Sequence, residues 1–562
     1  MTQKGKECHL TLLTMKLKPP AMLGFITKFW KKETVDVTAA ALLVGVASLA
    51  SRLVGLLRDR LLAAHFGAGA QLDAYYAAFR LPDFFYQLIV LGALSAGFIP
   101  VFAEYMERHG HGEAWKLAER VLATIAVILG GGCLAMALLA DKLVPYTVPG
   151  FSGEQLALTV DLSRILLIST FTLGLSAVMG GVLQATRRFV AFSLAPVFYN
   201  VGIIIGIVGF SPSFGVAGVA WGVALGAGLH FMVQALVAVP MGLRKLRMPS
   251  FVDPGVKRIL ILMLPRIAGL AVQQINLIVL VILASSLASG SIAVFNLANN
   301  LQYVPIGLIG ISFAVAAFPA FSQFAAANDL ENLRLAFLNT VRKIMFLILP
   351  ATALVLLLRA QIVRLVLGAG EFDWTATIRT ADVLAIFAIS LFAQSLIPLA
   401  ARVFYAMQDT RTPLYVSLVS LAANVGLALL LVGPFGIRGL AAAFSIDALA
   451  QCAMLWFLLR RKFKHLDGKV VSWGVAKTLA ASIALFGFGW IVRQAVGTVF
   501  PLRTFWQVAL QAAAAGSVGC VAFYCVAWLL KIDELKDFNR AIKAKFYRFA
   551  KIEEGTQQAS GV

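Results

Sequence analysis

The run Ser51-Arg52-Leu53-Val54-Gly55-Leu56-Leu57-Arg58-Asp59-Arg60 sets four charges in and beside a segment otherwise apolar enough to cross a bilayer. Even the lowest scales put an arginine at mid-membrane at about 2.5–3.5 kcal/mol, so such a residue faces a cavity, a partner or an ion path. Guanidinium groups suit an anionic ligand, because their planar forks take phosphate oxygens two at a time. Arg52 lies deepest in the run, whereas Arg58 and Arg60 stand nearer its end, where long basic side chains ordinarily snorkel to the surface. On a straight helix Arg52 and Asp59 share a face and Arg52 and Arg58 are about 120° apart. A bend at Gly55 would bring the two arginines closer.

Other charges sit in apolar surroundings. Arg80 and Asp83 open the next hydrophobic stretch, and Arg266 follows Pro265 in a segment with no other charge from Ile259 to Ser285. Arg52 and Arg266, one from each half of the chain, would suit a pyrophosphate. Asp59 and Asp73 flank the first connection with Arg58 and Arg60, so an Arg58–Asp73 or Arg60–Asp73 pair would close one face of the bundle. A static pair tying the hairpin together is the plainer alternative. No GxxxxGK[ST], HExxH or CxxC occurs, and the six histidines do not group as metal ligands. The five cysteines lack disulfide or metal spacing and mostly lie within apolar spans. The chain therefore reads as a transporter and not an enzyme, with no cofactor and no metal.

The elements that position these residues follow from composition. The 562 residues are 60% hydrophobic and 13% charged, with a mean hydropathy of +0.86, which is an integral membrane protein from end to end. Apolar windows near 37–57, 80–103, 121–140, 162–183, 190–210, 216–238, 259–286, 297–322, 344–366, 380–404, 413–433, 437–458, 473–492 and 505–530 predict an all-α polytopic membrane protein of about fourteen transmembrane helices. The net charge of +21 is distributed as topology. Arg187-Arg188, Arg244-Lys245-Leu246-Arg247, Lys257-Arg258, Arg460-Arg461-Lys462 and the tail after Lys531 fall on one side, and the opposite connections carry almost no lysine or arginine. That asymmetry puts both termini in the cytoplasm and argues against a nucleic-acid partner.

The chain also repeats itself at an offset of about 220 residues, as a duplicated membrane bundle does. Phe98-Ile99-Pro100-Val101-Phe102 matches Ala317-Phe318-Pro319-Ala320-Phe321, Asn200-Val201-Gly202 matches Asn424-Val425-Gly426, and Phe214-Gly215-Val216-Ala217-Gly218 matches Phe435-Gly436-Ile437-Arg438-Gly439. The division expected is an extension at 1–33, cytoplasmic or interfacial, an N-lobe of six helices at 34–245, a C-lobe of six at 246–465, two extra helices at 466–530 and a basic cytoplasmic tail at 531–562. A cavity should lie between the lobes.

Several motifs carry a family resemblance. The first-helix run above, with Phe66-Gly67-Ala68-Gly69, Asp73-Ala74-Tyr75, Arg80-Leu81-Pro82 and Phe98-Ile99-Pro100, resembles the amino-terminal hairpin of the MurJ (MviN) lipid II flippases. Phe404-Tyr405-Ala406-Met407-Gln408-Asp409-Thr410-Arg411-Thr412-Pro413 is similar to a later hallmark of that family. The resemblance covers most of residues 37–530. It implies the multidrug/oligosaccharidyl-lipid/polysaccharide exporter fold: two six-helix lobes about a cationic cavity, with two extra helices forming a groove for a lipid tail. It implies alternating-access flipping of an undecaprenyl-pyrophosphate-linked peptidoglycan precursor from the inner to the outer leaflet of a bacterial cytoplasmic membrane.

By the same resemblance Arg52 and Arg58 fall on the family's first-helix arginines, and Asp59 and Asp73 on acidic gate positions, joined as gate candidates by Arg60 and Arg80. The chain departs from the pattern where Tyr86 and Gln87 stand for a basic residue, Leu91 for an acid before Gly92, Asn299-Asn300 for an acidic-basic pair and Tyr303 for another acid. Arg266 could restore one positive charge, and Asn299, Asn300 and Gln302 could hydrogen-bond a sugar or phosphate. Partners expected are the lipid-linked glycan precursor, membrane lipids and cell-wall synthesis proteins. A flippase for another polyprenyl-pyrophosphate-linked glycan and a noncatalytic cell-wall scaffold are the rival readings.

Overall fold

The structure is a computed structural model that describes residues 37–91, 97–243, 247–463, 468–500, 504–537 and 539–540. These residues form helices and no strand. In hydrocarbon every backbone N–H and C=O must be satisfied within its own segment, which the helix alone achieves without a closed barrel. α1 is Val37–Phe66. It is followed by α2 (Ala70–Ala78), α3 (Arg80–Tyr86), a π-helical turn at Gln87–Leu91 and, beyond residues outside those described, α4 (Ile99–Arg108). α5 (Gly110–Leu138), a short α6 (Ala140–Thr147), α7 (Gly153–Ala185), α8 (Phe189–Ile205) and α9 (Ser211–Met241) complete the first lobe. The second contains α10 (Pro254–Ser285), α11 (Ser291–Pro305), a π-helical turn at Ile306–Ile311, α12 (Ser312–Ala326), α13 (Leu330–Leu367), α14 (Trp374–Ile389), α15 (Leu391–Ala406) and α16 (Arg411–Lys462). α17 (Gly468–Val499) and α18 (Phe505–Leu529) pack on each other and on α13.

By length and apolarity alone, eight helices among the described residues suit a membrane crossing, or nine when α14 and α15, bent by 48°, count as one. Two of these stretches are too long for one pass: Phe189–Met241 has 53 residues and α16 has 52, and 52 residues would reach about 78 Å. Each turns back at a glycine, Gly215 (φ 57°, ψ −142°) and Gly436 (φ 55°, ψ −132°), a conformation closed to residues with a Cβ. The fourteen crossings expected include α1, the α2–α4 segment and α10, none of which that measure counts.

The duplication is written into the backbone. Positive φ occurs at Gly67, Gly110, Gly153, Arg187 and Gly215, and again about 220 residues later at Gly290, Asn328, Gly370, Gln408 and Gly436. Arg187, Asn328 and Gln408 each occupy the left-handed position after a helix, with the N–H of the following residue bonded back to the last turn, so a Cβ is tolerated there. The π-helical turns recur at the same offset. Side chains repeat as well: Asn200 of α8 reaches Ser51 and Arg58 of α1, and Asn424 of α16 donates to Asn276 of α10 at 2.9 Å.

Between membrane helices the hydrophobic effect gives little, and close backbone approach replaces it. A Cβ at Gly202 would strike the backbone of Gly226, and one at Gly206 the backbone of Gly222, so α8 and α9 meet through small residues. Each lobe has its own apolar core, around Phe98, Phe102 and Leu129 in the first and Phe321, Phe337 and Phe404 in the second. A third core, with Leu62, Leu72 and Ile203 from one lobe and Leu297, Val363 and Phe387 from the other, joins the lobes at the Gly67/Gly290 end.

Candidate functional site between the lobes

α1 and α11 bring the lobes together. Arg52, half-buried on α1, lays its guanidinium against Gly307 in the π-helical turn below α11, in the room that any side chain at 307 would take. Among the described residues it has neither carboxylate partner nor hydrogen bond. One and a half turns on, Arg58 donates to Asp59 Oδ1 from Nε (3.0 Å) and Nη2 (2.7 Å) and to Asn200 Oδ1 from Nη1 (3.0 Å). Asp59 is only 3% exposed, and its Oδ2 accepts from Asn300 Nδ2 at 3.0 Å. The polar chain Asn200–Arg58–Asp59–Asn300 therefore crosses from the first lobe to the second.

Two further ties run beside it. Arg80 Nη2 donates to Asn296 Oδ1 at 2.8 Å. Asp73, 2% exposed, accepts the backbone N–H of Gly290 at Oδ2 (2.6 Å) and of Ala293 at Oδ1 (2.7 Å). Positions 293, 296 and 300 lie on one face of α11. A carboxylate at a helix N-terminus meets unpaired N–H groups and the positive end of the helix dipole, so Asp73 fastens the start of α11 onto α2. At the same end Glu371 N–H donates to Ala64 O at 2.9 Å, and Gly290 packs against Ala68 O so closely that no Cβ would fit.

At the opposite, arginine-rich end, α10 leans on the first lobe. Arg120 pairs with Asp253, Arg247 Nε with Glu119 Oε2 (3.0 Å) and Arg258 Nη1 with Glu104 Oε2 (2.9 Å), while Val256, Ile259 and Met263 enter the first-lobe core. In the nearby α15–α16 connection, Asp409 accepts from Lys462 Nζ (2.6 Å), Thr412 N (3.0 Å) and Thr412 Oγ1 (2.7 Å). Burial disfavours its charge, but these hydrogen bonds outweigh it and hold the carboxyl down to about 2.

The structure revises several expectations. Neither the Arg58–Asp73 nor the Arg60–Asp73 pair forms: Arg58 turns to Asp59 and Asn200, Arg60 Nη1 donates to Leu365 O (2.6 Å) and its guanidinium lies over Phe505, and Asp73 is satisfied by backbone N–H groups. Of the four gate candidates only Asp59 is in an ion pair. Gly55 does not bend α1, which keeps helical backbone from Val37 to Phe66. Asn300 spends its amide on Asp59. Asn299 Oδ1 accepts from Gln302, whose own carbonyl accepts from Gln394, a thread internal to the second lobe. Tyr303 is 47% exposed. The Arg266 side chain, Gly92, the 1–33 extension and the tail beyond Arg540 lie outside the described residues.

Asn200, Asn296, Gln394 and Arg402 were not singled out from sequence. Arg402 donates only to Pro398 O at 3.5 Å and has no acid partner among the described residues. A lone polar residue in an apolar span was the available signal, and Asn200 already stood in the repeat. No three His, Cys, Asp or Glu residues converge as a metal site among the described residues.

A duplicated all-helical bundle with arginines where its lobes meet has the fold of the MOP superfamily transporters. A solved structure described as the inward-facing conformation of a multidrug resistance MATE family transporter of that superfamily superposes with a TM-score of 0.65 at 19% identity, over 74% of this chain and 95% of that one. One described as the lipid II flippase MurJ in an inward closed conformation superposes with a TM-score of 0.73 at 22% identity, over 88% of this chain and 99% of the other. The probable lipid II flippase MurJ of Rhizobium meliloti (strain 1021) is 33% identical over 430 residues, 74% of this chain and 79% of the relative. The family model for the lipid II flippase MurJ matches residues 62–507. The chain belongs to the MurJ family.

Proposed function

We propose that the chain is a lipid II flippase, carrying the undecaprenyl-pyrophosphate-linked peptidoglycan precursor from the inner to the outer leaflet of a bacterial cytoplasmic membrane by alternating access. Fourteen crossings with both termini in the cytoplasm are part of this reading, as is the division into two six-helix lobes at 34–245 and 246–465 and a helix pair at 466–530. The observation that carries it is Arg52, a guanidinium without a carboxylate partner, lying where the two lobes meet, in a member of this family. A pyrophosphate moving through hydrocarbon would lose its hydration at great cost, whereas the isoprenoid tail is at home in lipid. A wet cleft lined by arginine shields the head group alone. Arg58 and Arg266 are proposed as further head-group contacts, and Asp59, Asp73, Arg60 and Arg80 as closing elements at the Gly67/Gly290 end. That end, sealed here, would face outward; the opposite end is bridged as well, by Arg120–Asp253, Arg247–Glu119 and Arg258–Glu104, which would have to part to admit a head group from the inner leaflet.

The test is complementation of a bacterium depleted of its own lipid II flippase, with outer-leaflet lipid II measured directly. Wild type is expected to rescue, and Arg52→Ala, equally well inserted, to impair transport more than Arg60→Ala does. Failure of well-inserted wild type would move the reading to another lipid-linked glycan. Equal effects of the two substitutions would place Arg52 among surface-seeking arginines.

A further inference from the structure

α16 buries a carboxylate that the polar ties between the lobes do not use. Asp447, in the arm of α16 after Gly436, is 6% exposed. It stands ten residues from Ile437, about 15 Å along the helix, and about 22 Å from Lys462, which is mid-membrane depth. Its partner is Ser420 on the other arm, whose Oγ lies 2.7 Å from Oδ1 and 2.8 Å from Oδ2.

A serine hydroxyl owns one proton, which an ionised carboxylate would have to share between both oxygens. When the carboxyl carries its own proton it can donate back to Oγ, closing a ring of two hydrogen bonds between acid and alcohol. Ionised, Asp447 would be a buried charge with a single neutral donor, an arrangement that costs several kcal/mol per ion. Among the described residues no charge neutralises it from the elements packed around it. On the Ser420 arm the titratable groups are Arg411 and Tyr415, near its far end; α15 carries Arg402, bonded to Pro398 O, and Tyr405; Asp382 of α14 holds Arg438. α10 carries Lys257 and Arg258 in its first turn, and the Arg266 side chain lies outside the described residues.

The site is also placed to act on the fold. One turn from Ser420, Asn424 is tied to Asn276 of α10, and two residues from Asp447, Ser445 donates to Ile386 O of α14. The two arms of α16 meet at the Gly436 reversal, so the Ser420–Asp447 ring clasps a hairpin whose arms hold different helices. Loss of the proton leaves a charge that only water could satisfy, and water enters only if the arms part.

We infer that Asp447 with Ser420 is a proton-binding site, and that its loading and unloading drive the second lobe between conformations during transport. The transport half of this inference rests on the proposed flippase reading; the binding half does not. Infrared difference spectra of the protein in lipid nanodiscs, recorded as the pH is lowered from alkaline to mildly acidic, are expected to show the carbonyl band of a protonated carboxylic acid appear, shifted in deuterium oxide and missing in Asp447→Asn. That variant keeps the side-chain shape and the Ser420 bond, so it should insert and melt like wild type. In proteoliposomes with the membrane potential clamped to zero, a one-unit pH step should change the leaflet ratio of an undecaprenyl-pyrophosphate-linked substrate about tenfold for one proton per cycle. In Asp447→Asn the ratio should not respond.

Spectra of wild type and Asp447→Asn that are identical in the carboxylic-acid region would overturn the proton site. Equal responses of both proteins to the pH step would overturn its role in transport. A band that vanishes in the variant, together with no transport by wild type at all, would support the proton site and count against the flippase reading.

Discussion

Replacing Asp73 with asparagine tests whether one end of the bundle is held shut by a helix N-terminus. The native carboxylate takes two N–H groups of the second lobe at 2.6 and 2.7 Å. Hydrogen bonds to a charged group contribute about 1.5–3 kcal/mol each, and a negative charge at a helix start adds about 0.3–1 kcal/mol. Asparagine keeps the shape and one acceptor, but turns an NH2 toward the second N–H, which is then buried without a partner at about 1–3 kcal/mol. A net loss of about 2–4 kcal/mol is expected, roughly a 30- to 700-fold fall in the closing equilibrium. The Glu371–Ala64 bond and the Asp59–Asn300 and Arg80–Asn296 ties remain, so the lobes stay folded.

The readout is a cysteine at Leu297, which is fully buried on the α11 face between Ala293 and Asn300. It would be placed in a background without the native cysteines and probed from that end with a membrane-impermeant maleimide. Labelling should be negligible in the parent and at least tens of times faster in Asp73→Asn. If the variant labels as slowly as the parent, while the unfolded protein shows the thiol intact, Asp73 does not govern closure.

Two further outcomes follow from contacts at the site and its margin. Gly307→Leu fills the space of the Arg52 guanidinium, and should abolish rescue of flippase-depleted cells as completely as Arg52→Ala, with insertion unchanged on a fluorescence-tagged expression assay. Asp409 has a depressed pKa, so it stabilises the folded state above the ordinary carboxylate range and loses that contribution as pH falls toward about 2. Asp409→Asn should therefore lower the melting temperature slightly at neutral pH, by the equivalent of about 1 kcal/mol or less for so exposed a pair, and the difference should shrink with acidification.

Much of the architecture was legible because membrane constraints are coarse. Apolar runs announce helices, and the matches at Phe98, Asn200 and Phe214 announced a duplication that reappears as paired backbone reversals at Gly215 and Gly436. Arg52 was singled out because five uncharged residues separate it from the next charge in an apolar run. The partners were not. Asp73 spends its carboxylate on backbone N–H groups, which leave no mark in a sequence, and Asn296 meets Arg80 from 216 positions away. Asp447 escaped notice for a similar reason: its neutral partner is a serine, and serines are common in membrane helices. Arg58 was read as reaching across a loop to Asp73, yet its neighbour Asp59 pairs with it at no cost in chain closure.

The π-helical turn at Ile306–Ile311, one of three among the described residues, carries a consequence for anyone who maps this protein by substitution. It inserts one residue beyond what an α-helix needs, so the segment after Ile311 is rotated by about 100° relative to a continuous helix drawn from Ser291. A serial scan from residue 291 to 326, plotted on one helical wheel, would show its sensitive stripe jump by that angle between residues 305 and 312. Positions scored as lipid-facing on a single wheel would then include some that face the first lobe.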